Sequence, residues 1–232
     1  MNIVITGASK GLGKAIAEKF AAAGHTLFIC ARNEVELYAT MQQLLEQYPE
    51  CSARAKSVDM SLKEEVNAFA QWCLLFGVPD IIVNNAGQFL PGSIYNEEEG
   101  LLEKMMHVNL YSAYHLTRAF LPEMLKARQG HVFNVCSIAS LDAYPNGGAY
   151  SISKFALLGF SKNLRQELQS FNIKVTAVMP GAAYTDSWSG SKIDPQRIME
   201  AGDVAEMVYA ATLLSPQACV EEIILRPQLG DL

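Results

Sequence analysis

The chain opens on a short β-rich run, Asn2-Ile3-Val4-Ile5-Thr6, which stops at Gly7 and passes through Gly11 and Gly13 into a helical pattern carried by Leu12, Ala15, Ile16 and Phe20. No other feature restricts the fold as much. A strand that turns on glycine straight into a helix is half of a βαβ unit. The turn Thr6-Gly7-Ala8-Ser9-Lys10-Gly11-Leu12-Gly13 presents the free N–H groups and positive dipole of the new helix to an anion. Its glycines let the backbone approach a diphosphate closely. A glycine turn alone is also what steric need produces in any tight turn. Its place directly after the first strand is what points to a dinucleotide. The spacing T-G-x-x-x-G-x-G differs from the more general G-x-G-x-x-G fingerprint.

Strand and helix patterns then alternate. A second strand, residues 26–30, ends at Ala31-Arg32, and its ending bears on the choice of cofactor. An acidic side chain there would accept from the adenosine ribose hydroxyls and repel a 2′-phosphate. Arg32 instead offers a planar fork suited to phosphate, and Lys10 in the glycine turn brings a second charge, so NADP(H) is expected over NAD(H). An amphipathic helix over 33–48 leads to a third strand, 52–58, closed by Asp59-Met60 where the strand would meet the adenine. Asp59 either accepts from the exocyclic amine or merely ends the strand. Ser61-Leu62-Lys63-Glu64 has the form of a capping box for a helix to about residue 75. The apolar run 80–83, of the kind buried on both faces of a parallel sheet, ends in Asn84-Asn85-Ala86-Gly87. Asparagines at such an end fix a sharp turn, and Ala86-Gly87 leaves room for a ribose.

A loop over 88–100 precedes a long helical pattern, 101–128, with Asn109 inside it, where asparagine has mediocre propensity and commonly marks a kink. A fifth strand, 131–136, carries Ser137 at its carboxyl end, the edge where open α/β sheets place ligands. A helix to about residue 170, a sixth strand (174–179) stopping at Pro180-Gly181, a helix opened by Asp203-Val204-Ala205-Glu206 and a seventh strand (222–226) complete the pattern. The polar stretch 185–199 reads as a lid, and Phe89, Leu90, Tyr144, Tyr184 and Trp188 are candidates to line a substrate pocket.

At 232 residues, half of them apolar, the chain can bury one substantial core. A formal charge of −6 without clustered Lys and Arg argues against nucleic acid or an anionic membrane as partner. No apolar run approaches the ~18 residues of a membrane helix, and no leader pattern is visible, so a cytoplasmic location is expected. The five cysteines are scattered, with no C-x-x-C pair and no metal-ligand spacing, and read as reduced and mostly buried.

Tyr150 and Lys154 stand four residues apart on a helix, which stacks them on one face with about 5–6 Å between Cβ atoms. A nearby ammonium stabilises a phenolate, so such a pair can turn a tyrosine into an acid usable near neutrality. Twelve residues separate Ser137 from Tyr150. With the glycine turn, Asn84-Asn85-Ala86-Gly87, Asn109, Ser137, Tyr150-x-x-x-Lys154 and Pro180-Gly181 in this order, the sequence resembles the short-chain dehydrogenase/reductase family over nearly its whole length.

That resemblance implies that Tyr150 is the general acid in carbonyl reduction, and that Lys154 lowers its pKa and holds the nicotinamide ribose. Ser137 would bond the substrate oxygen, and Asn109 would hold a water linking Lys154 to solvent. The cofactor would lie along Gly7, Ser9, Lys10, Gly11, Leu12, Gly13, Arg32, Asp59, Met60, Asn85, Ala86 and Gly87. The backbone after Pro180-Gly181 would meet the carboxamide, with Ala183 at a position often held by Ile or Val and Thr185 in contact. The resemblance also implies a homodimer or homotetramer paired through the two long helices. The glycine turn is similar to that of 3-oxoacyl-carrier-protein reductases, but Arg226-Pro227-Gln228 replaces their V-D-G-G-type ending, so the chain leans towards sepiapterin-reductase-like and hydroxy-acid dehydrogenase members. The expected protein is one doubly wound Rossmann domain over residues 1–232, a seven-stranded parallel sheet of order 3-2-1-4-5-6-7 with helices on both faces. It would act on a small carbonyl substrate with NADP(H), without a metal. The alternative is an NADP(H)-binding regulator without turnover.

Overall fold

The computed structural model describes residues 1–185 and 194–231. Seven parallel strands form the central sheet. β1 (Asn2–Thr6), β2 (Thr26–Ala31) and β3 (Ser52–Ser57) lie to one side, and β4 (Ile81–Asn84), β5 (Gly130–Val135), β6 (Ile173–Pro180) and β9 (Glu222–Leu225) to the other, in the order β3-β2-β1-β4-β5-β6-β9. This is the expected order, with β9 as the seventh strand. The order reverses between β1 and β4, which opens a crevice beyond their carboxyl ends. β7 (Ala183–Tyr184) and β8 (Met199–Glu200) pair separately beside it.

Alternation along each strand divides the core. Ile3 and Ile5 of β1 face α1 (Gly11–Ala22), α2 (Glu34–Gln47) and α7 (Ala201–Thr212) through Ile16, Phe20, Leu37, Leu44, Val204 and Val208. Val4 between them faces α3 (Lys63–Leu74), α5 (Ser112–Ala127) and α6 (Gly148–Leu168) through Phe69, Leu116, Phe120 and Leu164. A period of two on a sheet covered on both sides gives this arrangement. The cysteines are free, with Cys30, Cys51, Cys73 and Cys136 buried. Among the described residues no helix is long and apolar enough to cross a membrane.

Three local expectations are corrected. The Ser61 hydroxyl does not cap α3, whose N-cap residue is Leu62; it bonds the Asp59 carboxylate at 2.7 Å, while the Asp59 N–H donates to Glu65. Two acceptors, two residues before and four after the expected cap, compete for the same short segment. Helix α7 starts before Asp203. Glu200 is its cap and Asp203 the reciprocal partner, its carboxylate accepting the Glu200 N–H at 3.0 Å. The 101–128 pattern is not one continuous α-helix. α4 (Leu101–Met106) and α5 are joined by a π-helical segment, His107–Tyr111, with one extra residue in its turn. Trp188 and most of the 185–199 stretch lie outside the described residues.

Candidate active site

The glycine turn is locked by β4. The Asn85 side-chain amide donates to the carbonyls of Thr6 at 2.9 Å and Gly7 at 3.0 Å, and the Thr6 hydroxyl accepts the N–H groups of both Asn85 and Ala86. Asn84, in contrast, points down into the sheet, to Thr117 at 3.0 Å and Asn134 at 2.8 Å. Only one of the paired asparagines therefore shapes the turn. Gly7 and Gly11 have φ of 64° and 58°, where other residues are strained. A Cβ on Gly13 would stand 2.3 Å from the Gly7 carbonyl oxygen, and one on Gly11 3.4 Å from Thr185. These close approaches build a narrow backbone cradle at the first turn of α1, and that cradle fits a diphosphate. Lys10 is the N-cap residue of α1, the Ser9 carbonyl accepts from Thr40, and Leu12 packs into the core beneath.

Arg32 is exposed at the end of β2, and the Lys10 ammonium stands 4.0 Å from Glu36. Burial pushes the Asp59 carboxyl up, but two bonds from Ser61 and the Arg32 charge outweigh it and hold its pKa below the usual value. One oxygen of the Asp59 carboxylate is thus engaged by its own turn. Met60 is buried, its sulfur 3.7 Å from that of Cys30.

Farther along the same edge, Ser137 ends β5 and caps a short 3-10 turn, its oxygen accepting the Ala139 N–H at 3.1 Å. Tyr150 and Lys154 project from the first two turns of α6. Lys154 is 5 % exposed, donates to the Val135 carbonyl at 2.8 Å and stands 5.8 Å from the Tyr150 ring centre. Burial lowers its pKa to about 8. The phenol of Tyr150 is not lowered as the Tyr–Lys spacing suggests. Burial pushes its pKa up, a hydrogen bond with Ser137 draws it down by less, and the Cys136 thiol pushes it up again. In this geometry desolvation of the phenolate outweighs the Ser137 bond, so the phenol rests protonated.

Asn109 is fully buried in the π segment. Its carbonyl oxygen accepts the Gln88 N–H at 2.7 Å, while its amide donates to the Gln88 carbonyl at 3.0 Å and to Ser153 at 2.9 Å. It clamps the strand end after Gly87 to α6. A Cβ on Gly87 would lie 3.2 Å from the Asn109 oxygen and 3.4 Å from the Lys154 nitrogen, so these groups share one small space. The Phe89 ring, half exposed, meets the Tyr150 ring edge-on at 4.9 Å. Tyr144 is exposed beside it, and the pKa of its phenol is pushed up to about 12 by burial and by Tyr150. Tyr184 is exposed after the Gly181 turn, where the Gly181 N–H bonds Leu225 at 2.8 Å, and Ala183 is buried.

A family model for short chain dehydrogenases matches residues 1–195. The chain belongs to the short-chain dehydrogenase/reductase family. This family of oxidoreductases accounts for the sheet order and for the gathering of Ser137, Tyr150 and Lys154 at its carboxyl edge. An oxidoreductase of Staphylococcus epidermidis is 32 % identical over 227 residues, covering 97 % of this chain and 96 % of that one. Among solved structures, a metagenomic short-chain oxidoreductase in complex with NADP superposes with a TM-score of 0.86 at 29 % identity, covering 98 % of this chain and 97 % of the other. An alcohol dehydrogenase from the archaeon Thermococcus sibiricus, complexed with 5-hydroxy-NADP, gives 0.89 at 28 % identity, covering 98 % and 96 %.

The structure brings together all four sequence-predicted catalytic residues, and the glycine turn with Asn85, Ala86, Gly87 and Thr185. Sequence reasoning missed Thr6, whose hydroxyl ties β1 to β4, and Gln88 and Ser153, the partners of Asn109. A threonine ahead of the glycine turn is the one visible signal among them.

Proposed function

We propose that this short-chain dehydrogenase/reductase reduces the carbonyl group of a small molecule with NADPH, and oxidises the corresponding alcohol in reverse, with Tyr150 as general acid. The observation that carries this reading is the gathering of Tyr150, Ser137 and the buried Lys154 at the edge that also holds the glycine cradle. When bound, the cofactor supplies the hydride. Negative charge then develops on the substrate oxygen, and the hydroxyls of Ser137 and Tyr150 are the donors that stabilise it. Tyr150 passes its proton to that oxygen, and Lys154, cationic below about pH 8, stabilises the phenolate left behind. Asn109 holds the Gln88 strand end against α6 so that Lys154 keeps its place.

Preference for NADPH rests on exposed Arg32 with no acidic residue at the end of β2, and agrees with NADP in the two related structures. Assembly as a homodimer or homotetramer is part of the same reading. The π segment, α5 and α6 expose Tyr111, Tyr114, Ile152 and Phe155, and Tyr111 and Tyr114 line an apolar groove of 410 Å³ with Leu110 and Phe160. Sedimentation at micromolar concentration reads the assembly directly. The decisive experiment is NADPH oxidation over a panel of ketones and aldehydes, with Tyr150→Phe alongside wild type. The variant should bind NADPH normally and lose about 10²–10⁴-fold in kcat. Wild-type turnover in the variant, or NADPH binding by wild type with no turnover on any carbonyl, refutes it.

A further inference from the structure

Helix α6 carries Tyr150 as its third residue, yet nothing on the helix secures its start. Its N-cap residue is Gly147, without a side-chain cap, and its first turn holds no acidic residue. The chain enters through Asn146 in the left-handed region, at φ 61°, and Gly148 at φ 20°. A helix start leaves four N–H groups without internal partners, and one so poorly capped frays. One missing partner, and two contacts that anchor the entering chain, come from about 50 residues upstream. Glu97 Oε2 accepts the Ala149 N–H at 3.2 Å, the Gly92 N–H donates to the Asn146 carbonyl at 3.0 Å, and the Ser93 hydroxyl donates to the Asn146 side-chain oxygen at 2.9 Å.

The fit is tight. A Cβ on Gly148 would stand 2.5 Å from both Glu97 Oε2 and the Gly92 carbonyl oxygen. Glu97 is itself fixed by a turn, its N–H donating to the Ser93 carbonyl at 2.8 Å. The same loop places Phe89 against the Tyr150 ring. One face of the phenol and the backbone that bears it therefore depend on a single inter-segment seam, with Glu97 as its charged member. A carboxylate at a helix N-terminus is also favoured by the helix dipole.

We infer that Glu97 is a positioning residue for Tyr150, an external cap that sets the first turn of α6 and, with it, the direction of the phenol. It touches neither substrate nor cofactor. The inference rests on Tyr150 being the general acid, so its test has two separable readouts. The first is amide hydrogen exchange in the cofactor-free protein, which needs no activity. Glu97→Ala should speed exchange of the Ala149 amide about tenfold, while Glu97→Gln, which keeps an acceptor oxygen, stays within about threefold of wild type. The second is kinetic. Glu97→Ala should lower kcat about tenfold with NADPH affinity and the melting of the central sheet unchanged, and Glu97→Gln should restore most of it. Unchanged Ala149 exchange in Glu97→Ala overturns the cap itself. Faster exchange with unaltered kcat in an enzyme that does need Tyr150 overturns the positioning role alone. Wild-type kcat in Tyr150→Phe refutes the proposed role of the phenol and the positioning role with it, while the cap stands or falls on exchange alone.

Discussion

Replacing Lys154 by methionine should remove a contribution to stability that rises with alkaline pH, by an amount the structure fixes. Lys154 is 5 % exposed, its ammonium has the Val135 carbonyl as hydrogen-bond partner, and burial brings its pKa from 10.5 down to about 8. The folded state therefore gives up this proton before the unfolded chain does. Between about pH 8 and 10.5 the unfolded chain binds more protons, so stability rises with pH across that window. Below it, the buried cation costs on the order of 3 kcal/mol, which returns as the pH climbs through the window. The assay is urea unfolding of both proteins, without cofactor, at intervals from pH 7 to 10.5. Wild-type stability minus that of Lys154→Met should grow by about 3 kcal/mol over the range. Burial raises the pKa of Cys30, Cys73, Cys136 and Tyr150, so their titration removes stability at high pH, but both proteins share it and the difference cancels most of it. A difference that stays flat from pH 7 to 10.5 would mean that the lysine is solvated in the folded state, and would refute the reasoning.

Two further substitutions test the cofactor side. Arg32→Ala should weaken NADPH about tenfold, towards the low end for a charge-assisted contact because the side chain is exposed, and leave NADH nearly unchanged; equal losses in fluorescence titrations of both count against the assignment. Gly13→Ala puts a methyl group 2.3 Å from the Gly7 oxygen and 2.4 Å from the Asn85 amide, so it should lower stability by roughly 1–3 kcal/mol and abolish NADPH binding. Alanine is the better helix former, by roughly 1 kcal/mol, so a higher melting temperature would show that the cradle is loose.

What the sequence discloses and what it hides follow from the range of the interactions. The strands and helices were legible because each βα repeat announces itself locally: Ile3 and Ile5 alternate with Val4, and the turn after Thr6 needs glycine whatever lies elsewhere. The two displaced caps show the limit of the same logic. Ser61 and Asp203 have the right chemistry, but several acceptors lie within three residues, and packing decides which of them meets the first free N–H. The interruption at residues 107–111 was signalled only by an asparagine in a poor place, since its cause is the Gln88 backbone it must reach.

The active site divides in the same way. Ser137, Tyr150 and Lys154 could be named because each sits at a recognisable strand end or helical spacing, but the protonation of the pair could not. Spacing alone places an ammonium near a phenol and so suggests a lowered phenol pKa. The folded protein also takes both groups out of water. Desolvation acts on each group alone and disfavours its charged form, so the lysine moves down while the phenol moves up. Under the proposed mechanism the resting phenol is the proton donor, and the cation becomes important only once that proton has left. The contacts that hold this arrangement, Asn85 to Thr6, Asn109 to Gln88 and Glu97 to Ala149, join residues 79, 21 and 52 positions apart. A local pattern can flag one member, as it does Asn109, but not its partner; such pairs exist only where the sheet order has already brought the segments together.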